Sequence, residues 1–203
     1  LEDLYLPYRP KKRTRAMIAR ERGLEPLAEM ILNDTVTSGN PLDIAKEYIS
    51  EEVPTPEDAI QGASDIVAEI VSDSADFRAT LRKRMWKEGF IQAELVEDNE
   101  HKDQFLQYNE YAEPVRQMPS HRILAVNRGE KLGALKLALT VPDESYIQYM
   151  VCGITKNEQS IFSDVKACAV ADAYKRLMFP ALERDIRNEL TESADEQAIK
   201  VFG

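Results

Sequence analysis

The run Thr55-Pro56-Glu57-Asp58 restricts the fold of this chain more than any other stretch. Thr at a helix cap, Pro at the first helical position and two acids in the first turn make up a helix start. Behind it, Ala59, Ile60, Ala63, Ile66, Val67, Ile70 and Val71 fall at helical spacing with polar residues between them. The spacing predicts an amphipathic helix over 55–73, one face of which needs a core to bury against.

The same logic extends along the chain. Thr14 caps a short helix through about Arg22, stopped by Gly23, and Pro26 sits in the first turn of the next, ending near Asp34. Another short helix fits Pro41 to Ser50. Residues 75–88 carry Phe77, Leu81, Met85 and Trp86 before Gly89. Ser120 is read as the cap of a helix to Asn127 that Gly129 closes. From Asp164 a face of Ala167, Val170, Ala171, Tyr174, Leu177 and Met178 runs up to Pro180, read as an interruption. Leu182, Ile186 and Leu190 follow, and a last helix is expected to start near Thr191 or Ser193. Leu135 to Val141 alternates with period two and is the best strand, with 90–96 as a candidate partner. The expected class is mainly α, with a minor β element around 90–96 and 134–141.

Length and composition permit a sizeable core: 203 residues, 43% hydrophobic and 31% charged, are ordinary for a globular chain. No apolar run reaches the roughly 18 residues of a membrane span, and the first 30 residues do not read as a secretory signal. Cys152 and Cys168 lie among apolar residues and are expected to be buried thiols in a reducing compartment, which points to the cytoplasm. The chain begins without Met and ends at Ala198 to Gly203 with an apolar period still running, so it is expected to be a piece of something longer.

Charge is unevenly spread. Arg9, Lys11, Lys12, Arg13, Arg15, Arg20 and Arg22 face one acid, Glu21, in a window of +6; the chain totals −10, leaving −16 elsewhere. With Tyr5 and Tyr8 nearby, on a segment stiffened by Pro7 and Pro10, this run could hold phosphates and stack bases. Equally, its cations could bridge to the acidic body, and the −16 favours that alternative. Leu4, Tyr5, Leu6 and Tyr8 are expected to form a strap over the body. A second cluster, Arg78, Arg82, Lys83, Arg84 and Lys87, reads as a solvated helix face.

Bond-making chemistry finds little support. Ser120, His121 and Arg122, with Asn127 and Arg128, form the densest polar constellation, but neighbours on one helix point apart and no oxyanion-forming glycine loop precedes Ser120. A structural polar cluster is the favoured reading. His101 and His121 are the sole histidines, and the cysteines lack CxxC spacing. Asp65, Glu69 and Asp73, one turn apart, could form a carboxylate metal site but suit a solvated face. There is no Gly-rich phosphate loop. The expectation is no catalysis, no metal and no cofactor.

Five ordered blocks carry a family resemblance. LEDLYLPYRPKKRTRA with IARERGLEPLA, Asp58 to Glu69 (DAIQGASDIVAE), YAEPV from Tyr111, SHRILAVNRGEK from Ser120, and DAYKRL with Pro180 and RNELT from Arg187 resemble the Tex family of bacterial transcription accessory proteins. The resemblance implies a multihelical N-terminal core region, also similar to the core of a eukaryotic elongation factor. It further implies a following ribonuclease-H-like YqgF domain, helix-hairpin-helix elements and an OB-fold RNA-binding module, none of them in this sequence. On that footing residues 1–13 are a basic, aromatic strap, 14–89 a helical part, 90–141 a mixed part, and 142–203 a helical part leading to the next domain. The implied role is a non-catalytic scaffold whose full-length protein binds RNA or DNA. Contacts to transcription machinery and to the absent domains of the same chain are expected, and no membrane. The alternative is a protein-interaction adaptor with no direct nucleic-acid contact.

Overall fold

The Thr55 hydroxyl accepts the Asp58 amide at 3.1 Å, and the helix it caps runs Pro56–Ser72. In this computed structural model, which describes residues 12–202, that helix is the centre of the first of two units. This unit takes the described residues up to Asp73 together with Met150–Ala173. Its helices are α1 (Arg15–Glu21), α2 (Glu25–Asn33), α3 (Pro41–Ala45) continued by a 3-10 turn (Lys46–Tyr48), and the central α4 (Pro56–Ser72). Ser163–Asp172 closes the unit, and α4 packs against it and against α1, α2 and α3. Ala59, Ala63, Ile66, Val67 and Val71 are buried as the spacing predicts, but Ile70 is 43% exposed and Ala68, outside that face, is buried as well. Each large aliphatic side chain so placed contributes about 1.5–3 kcal/mol.

Short helices need firm ends. At the end of α1, Gly23 takes φ 77°, its amide reaches Arg20 O at 3.1 Å, and the Leu24 amide reaches Ala19 O at 3.2 Å. This is a Schellman closure, and Leu24 beyond it is 1% exposed. Gly62 on α4 lets α1 approach: a Cβ there would lie 2.3 Å from Leu24 Cδ1.

The second unit takes Ser74–Tyr149 and Tyr174–Gly203, of which Gly203 lies outside the described residues. It contains α5 (Ala75–Glu88), β1 (Phe90–Leu95), β2 (Tyr111–Pro114), α6 (Ser120–Lys131) and β3 (Leu135–Thr140). The next helix, α7 (Asp143–Ile154), crosses the sequence boundary between units; Ser163–Asp172 is α8, and α9 is Phe179–Phe202. The expected pairing of 90–96 with 134–141 is present: β1 lies antiparallel to β3 with Ile91 opposite Leu139 and Ala93 opposite Leu137. β2 completes an antiparallel sheet of order β2-β1-β3. Ile91, Ala93, Leu135 and Leu139 are buried on one face, while Phe90, Gln92, Glu94, Lys136, Ala138 and Thr140 are exposed on the other. The Leu139 amide is taken at the sheet edge by Glu183 Oε2 at 3.1 Å.

The molecule is mainly α, as expected, but several local expectations change. Gly129 does not end α6. It lies buried inside the helix, because a Cβ there would meet Leu135 Cδ1 at 2.4 Å and Phe105 Cδ1 at 3.1 Å. The stop comes at Gly133 (φ 74°), with Gly133 N bonded to Glu130 O and Ala134 N to Gly129 O, a second Schellman closure. Pro119, not Ser120, occupies the cap position. Pro180 does not break the chain: the backbone widens to a π-helix over Ala173–Met178 and resumes as α9 with Pro180 in its first turn. No new helix starts at Thr191 or Ser193, since Thr191 Oγ1 donates back to Arg187 O at 2.8 Å within a continuous helix. Cys152 and Cys168 are exposed, not buried, because each falls on the outer side of its helix.

Candidate functional site

The polar constellation on α6 is held by α9. Leu182, Ile186, Leu190 and Ala194 line the buried side of α9 at four-residue steps, which sets Arg187 and Thr191 beside the seam. Arg187 grips Glu130 with two parallel bonds, Nη1 to Oε2 at 3.0 Å and Nη2 to Oε1 at 2.5 Å. Asn127 Nδ2 donates to Thr191 Oγ1 at 2.9 Å, and Ser120 Oγ donates to Gln197 Oε1. Along the seam runs an open groove of about 340 Å³ lined by Asn127, Glu130, Arg187 and Thr191 together with Glu183, Arg184 and Asn188.

The remaining members of the constellation point elsewhere. Arg122 Nη1 donates to Glu113 Oε1 at 2.8 Å, and Tyr111 OH donates to the other oxygen of the same carboxylate. Burial first, and then the bond to Glu113, raise the Tyr111 phenol above its usual value; the same carboxylate raises Arg122. Arg128 makes a long contact to Gln104 Oε1 at 3.5 Å, and His121 is exposed. Ser120 is therefore not paired with His121. Four of the five make separate contacts, to Gln197, Glu113, Thr191 and Gln104, and the five do not converge on one reacting centre.

The basic run divides. Arg9 and Lys11, with the expected strap around Tyr5 and Tyr8, lie outside the described residues. Arg13 pairs with Glu21, and Arg20 Nη1 binds Glu69 Oε1 at 2.6 Å with Glu25 at 4.0 Å. Arg22 stands 3.9 Å from Glu52. Lys12 and Arg15 are exposed and have no ion-pair partner among the described residues. Burial tends to raise the Glu69 carboxyl, but hydrogen bonds from Arg20 and from Thr14 outweigh it and hold it below its usual value. Glu69 is thus committed to α1, while Asp65 accepts Gln61 Nε2 at 3.1 Å. Among the described residues no group of three or more His, Cys, Asp or Glu could hold a metal ion.

Sequence reading overlooked one group. Lys166 Nζ donates to Asp34 Oδ2 at 2.6 Å, to Leu32 O at 3.2 Å and to Ile154 O at 3.3 Å. Asp34, at φ 56° on the end of α2, also accepts the Lys156 amide at 2.7 Å and the Asn157 amide at 3.2 Å. A lysine inside the apolar stretch Val165 to Val170 was the signal that could have found it.

Residues 37–202 match a family model described as Tex central region-like. The chain belongs to the Tex family. Over its whole length it is 43% identical to the YdcI protein of Bacillus subtilis, covering 28% of that protein. It is 39% identical to the transcriptional accessory protein Tex of Neisseria gonorrhoeae, covering 27% of it, and 27% identical to the human S1 RNA-binding domain-containing protein 1, covering 22%. The chain thus spans about a quarter of the length of these Tex relatives. In the Tex segment SHRILAVNRGEK the structure gives Asn127 and Glu130 their partners on α9 and Arg122 its partner on β2. Among the described residues no helix is long and apolar enough to cross a membrane.

Proposed function

We propose that this region is a non-catalytic helical scaffold of a nucleic-acid-binding transcription accessory protein. It would act in the cytoplasm by holding neighbouring RNA- or DNA-binding modules in fixed relation. The observation that carries the reading is the bidentate Arg187–Glu130 bond. Three polar side chains of the densest family segment, Ser120, Asn127 and Glu130, are spent on locking α6 to α9, and a group so engaged is a structural tie. The printed names of the relatives, transcriptional accessory protein and S1 RNA-binding domain-containing protein, support the nucleic-acid theme for the whole protein.

A direct electrostatic contribution would come from the cations that the fold leaves available, Lys12 and Arg15, with Arg9, Lys11 and Arg13 beside them in sequence; Arg20 serves α4 through Glu69. The test is anisotropy of a labelled single-stranded RNA against salt. Binding should weaken steeply with salt, by about 0.7 in the log–log slope for each phosphate contact. No binding at low salt removes the direct contact, and hydrolysis of RNA by the purified chain overturns the non-catalytic reading.

A second reading, an adaptor docked on transcription machinery, is favoured by Ile199 and Val201, which are 71% and 78% exposed on the last turns of α9. It expects a pull-down with purified RNA polymerase that survives nuclease treatment, and loss of that capture when both residues become Ser.

A further inference from the structure

The first unit carries a groove of about 410 Å³ between α1, the turn Glu52–Pro54 and the first half of α4. Its size lies within the roughly 300–1,000 Å³ of small-ligand sites. Half-buried Ile18 and exposed Pro54, beside the buried Leu24 and Val53, supply an apolar floor. One wall is cationic: Arg15 and Arg22 are seven residues apart, two turns along the same side of α1 and its cap. The opposite wall is anionic: Asp58 and Asp65 are seven apart on α4, and Glu52 lies at the rim.

Charge and burial decide what would fit. Two guanidiniums and three carboxylates leave the groove at −1. A nucleotide would bring further negative charge beside Asp58 and Asp65, so the interior of the groove is unsuited to a phosphate, and a peptide carboxylate there would compete with RNA for Arg15. Asp65 is 9% exposed, and the carboxylate of Asp58 and the guanidinium of Arg15 have no partner among the described residues. The site therefore offers an available cation and an available anion facing each other over an apolar strip. We propose that this groove binds a peptide segment of a partner protein that presents a Lys or Arg to Asp58 and a carboxylate to Arg15, with an apolar side chain between them. This goes beyond the scaffold reading and does not depend on it.

The test is a titration of the isotopically labelled chain with the capped peptide acetyl-Ala-Arg-Leu-Asp-Ala-amide, followed by the amide spectrum. Saturable shifts should appear on the groove-lining amides and weaken with salt. Asp58→Asn and Arg15→Gln should each reduce affinity by about three- to ten-fold while leaving the remaining resonances in place. The neutral peptide with Gln and Asn in place of Arg and Asp should bind more weakly still. The proposal fails if the groove amides do not shift, if the neutral peptide matches the charged one, or if both variants bind like the parent chain. It fails too if adenosine monophosphate shifts the same amides at lower concentration than the peptide does.

Discussion

Lys166 Nζ sits 2.6 Å from Asp34 Oδ2, and the two side chains are 2% and 1% exposed. Such a pair adds little over a well-packed apolar substitute, but removing one member strands the other. Lys166→Met should cost about 3–5 kcal/mol. The double variant Asp34→Asn with Lys166→Met should recover part of that loss, since Asn tolerates the φ of 56°. Urea unfolding of the single and double variants measures this; a single variant within about 1 kcal/mol of the parent would show that the pair is not buried as described.

Acid should act through the same carboxylate. Burial tends to raise the Asp34 carboxyl, but bonds from Lys166 and from the Lys156 and Asn157 amides outweigh it and hold it below 3.8. Glu69 is lowered from 4.5 in the same way by Arg20 and Thr14. A depressed carboxylate contributes stability that is complete above its unfolded value and is lost as pH falls through the folded one. Stability should therefore be flat from neutral pH to about 5 and decline below about 4. Asp34→Asn should flatten that decline. Denaturation midpoints from pH 3 to 7 check it, and an unchanged acid limb in the variant counts against the assignment.

Two helical glycines should respond differently to Ala. At Gly129 the new Cβ meets Leu135 at both Cδ1 (2.4 Å) and Cγ (2.8 Å), as well as Phe105, so the packing must shift. A cost of about 1–3 kcal/mol is expected. At Gly62 the one severe contact is the terminal Cδ1 of Leu24, and relief by rotation is set against a helix-propensity gain of about 1 kcal/mol. Thermal melts should place Gly129→Ala well below Gly62→Ala.

The basic run should separate into two classes of residue. Arg20→Gln breaks the tie to Glu69 and should lower stability while changing RNA affinity little. Lys12→Gln with Arg15→Gln should leave the melt unchanged and reduce the salt slope by about 1.4, two single-strand contacts. Equal effects on both readouts would erase the distinction.

The helices were largely legible because their signals are local: Thr14 and Thr55 accept the amides that their positions suggest, and Gly23 closes α1. The pairing of β1 with β3 followed from alternation. β2 was hidden because Tyr111–Pro114 is short and ends in Pro, so it carries no period. Gly129 misled because a glycine demanded by close packing and one demanded by a left-handed backbone look alike in sequence; Leu135 and Phe105 decide the matter from a distance. Pro180 misled because a π turn can absorb it, and nothing local marks that turn. The polar constellation reads as structural from its spacing alone, but the partners that the fold supplies, Glu113, Arg187 and Thr191, lie 9 to 64 residues away, beyond any reading of adjacent positions.

The carboxylate of Glu183 on the Leu139 amide has a bearing on behaviour in concentrated solution. A strand from another molecule approaching β3 would have to displace an anion and leave it dry, while Pro114 offers no amide on the opposite border. Glu183→Ala should therefore let molecules zip together edge to edge. Light scattering at rising concentration would reveal this as growing particle mass, without any loss of helix.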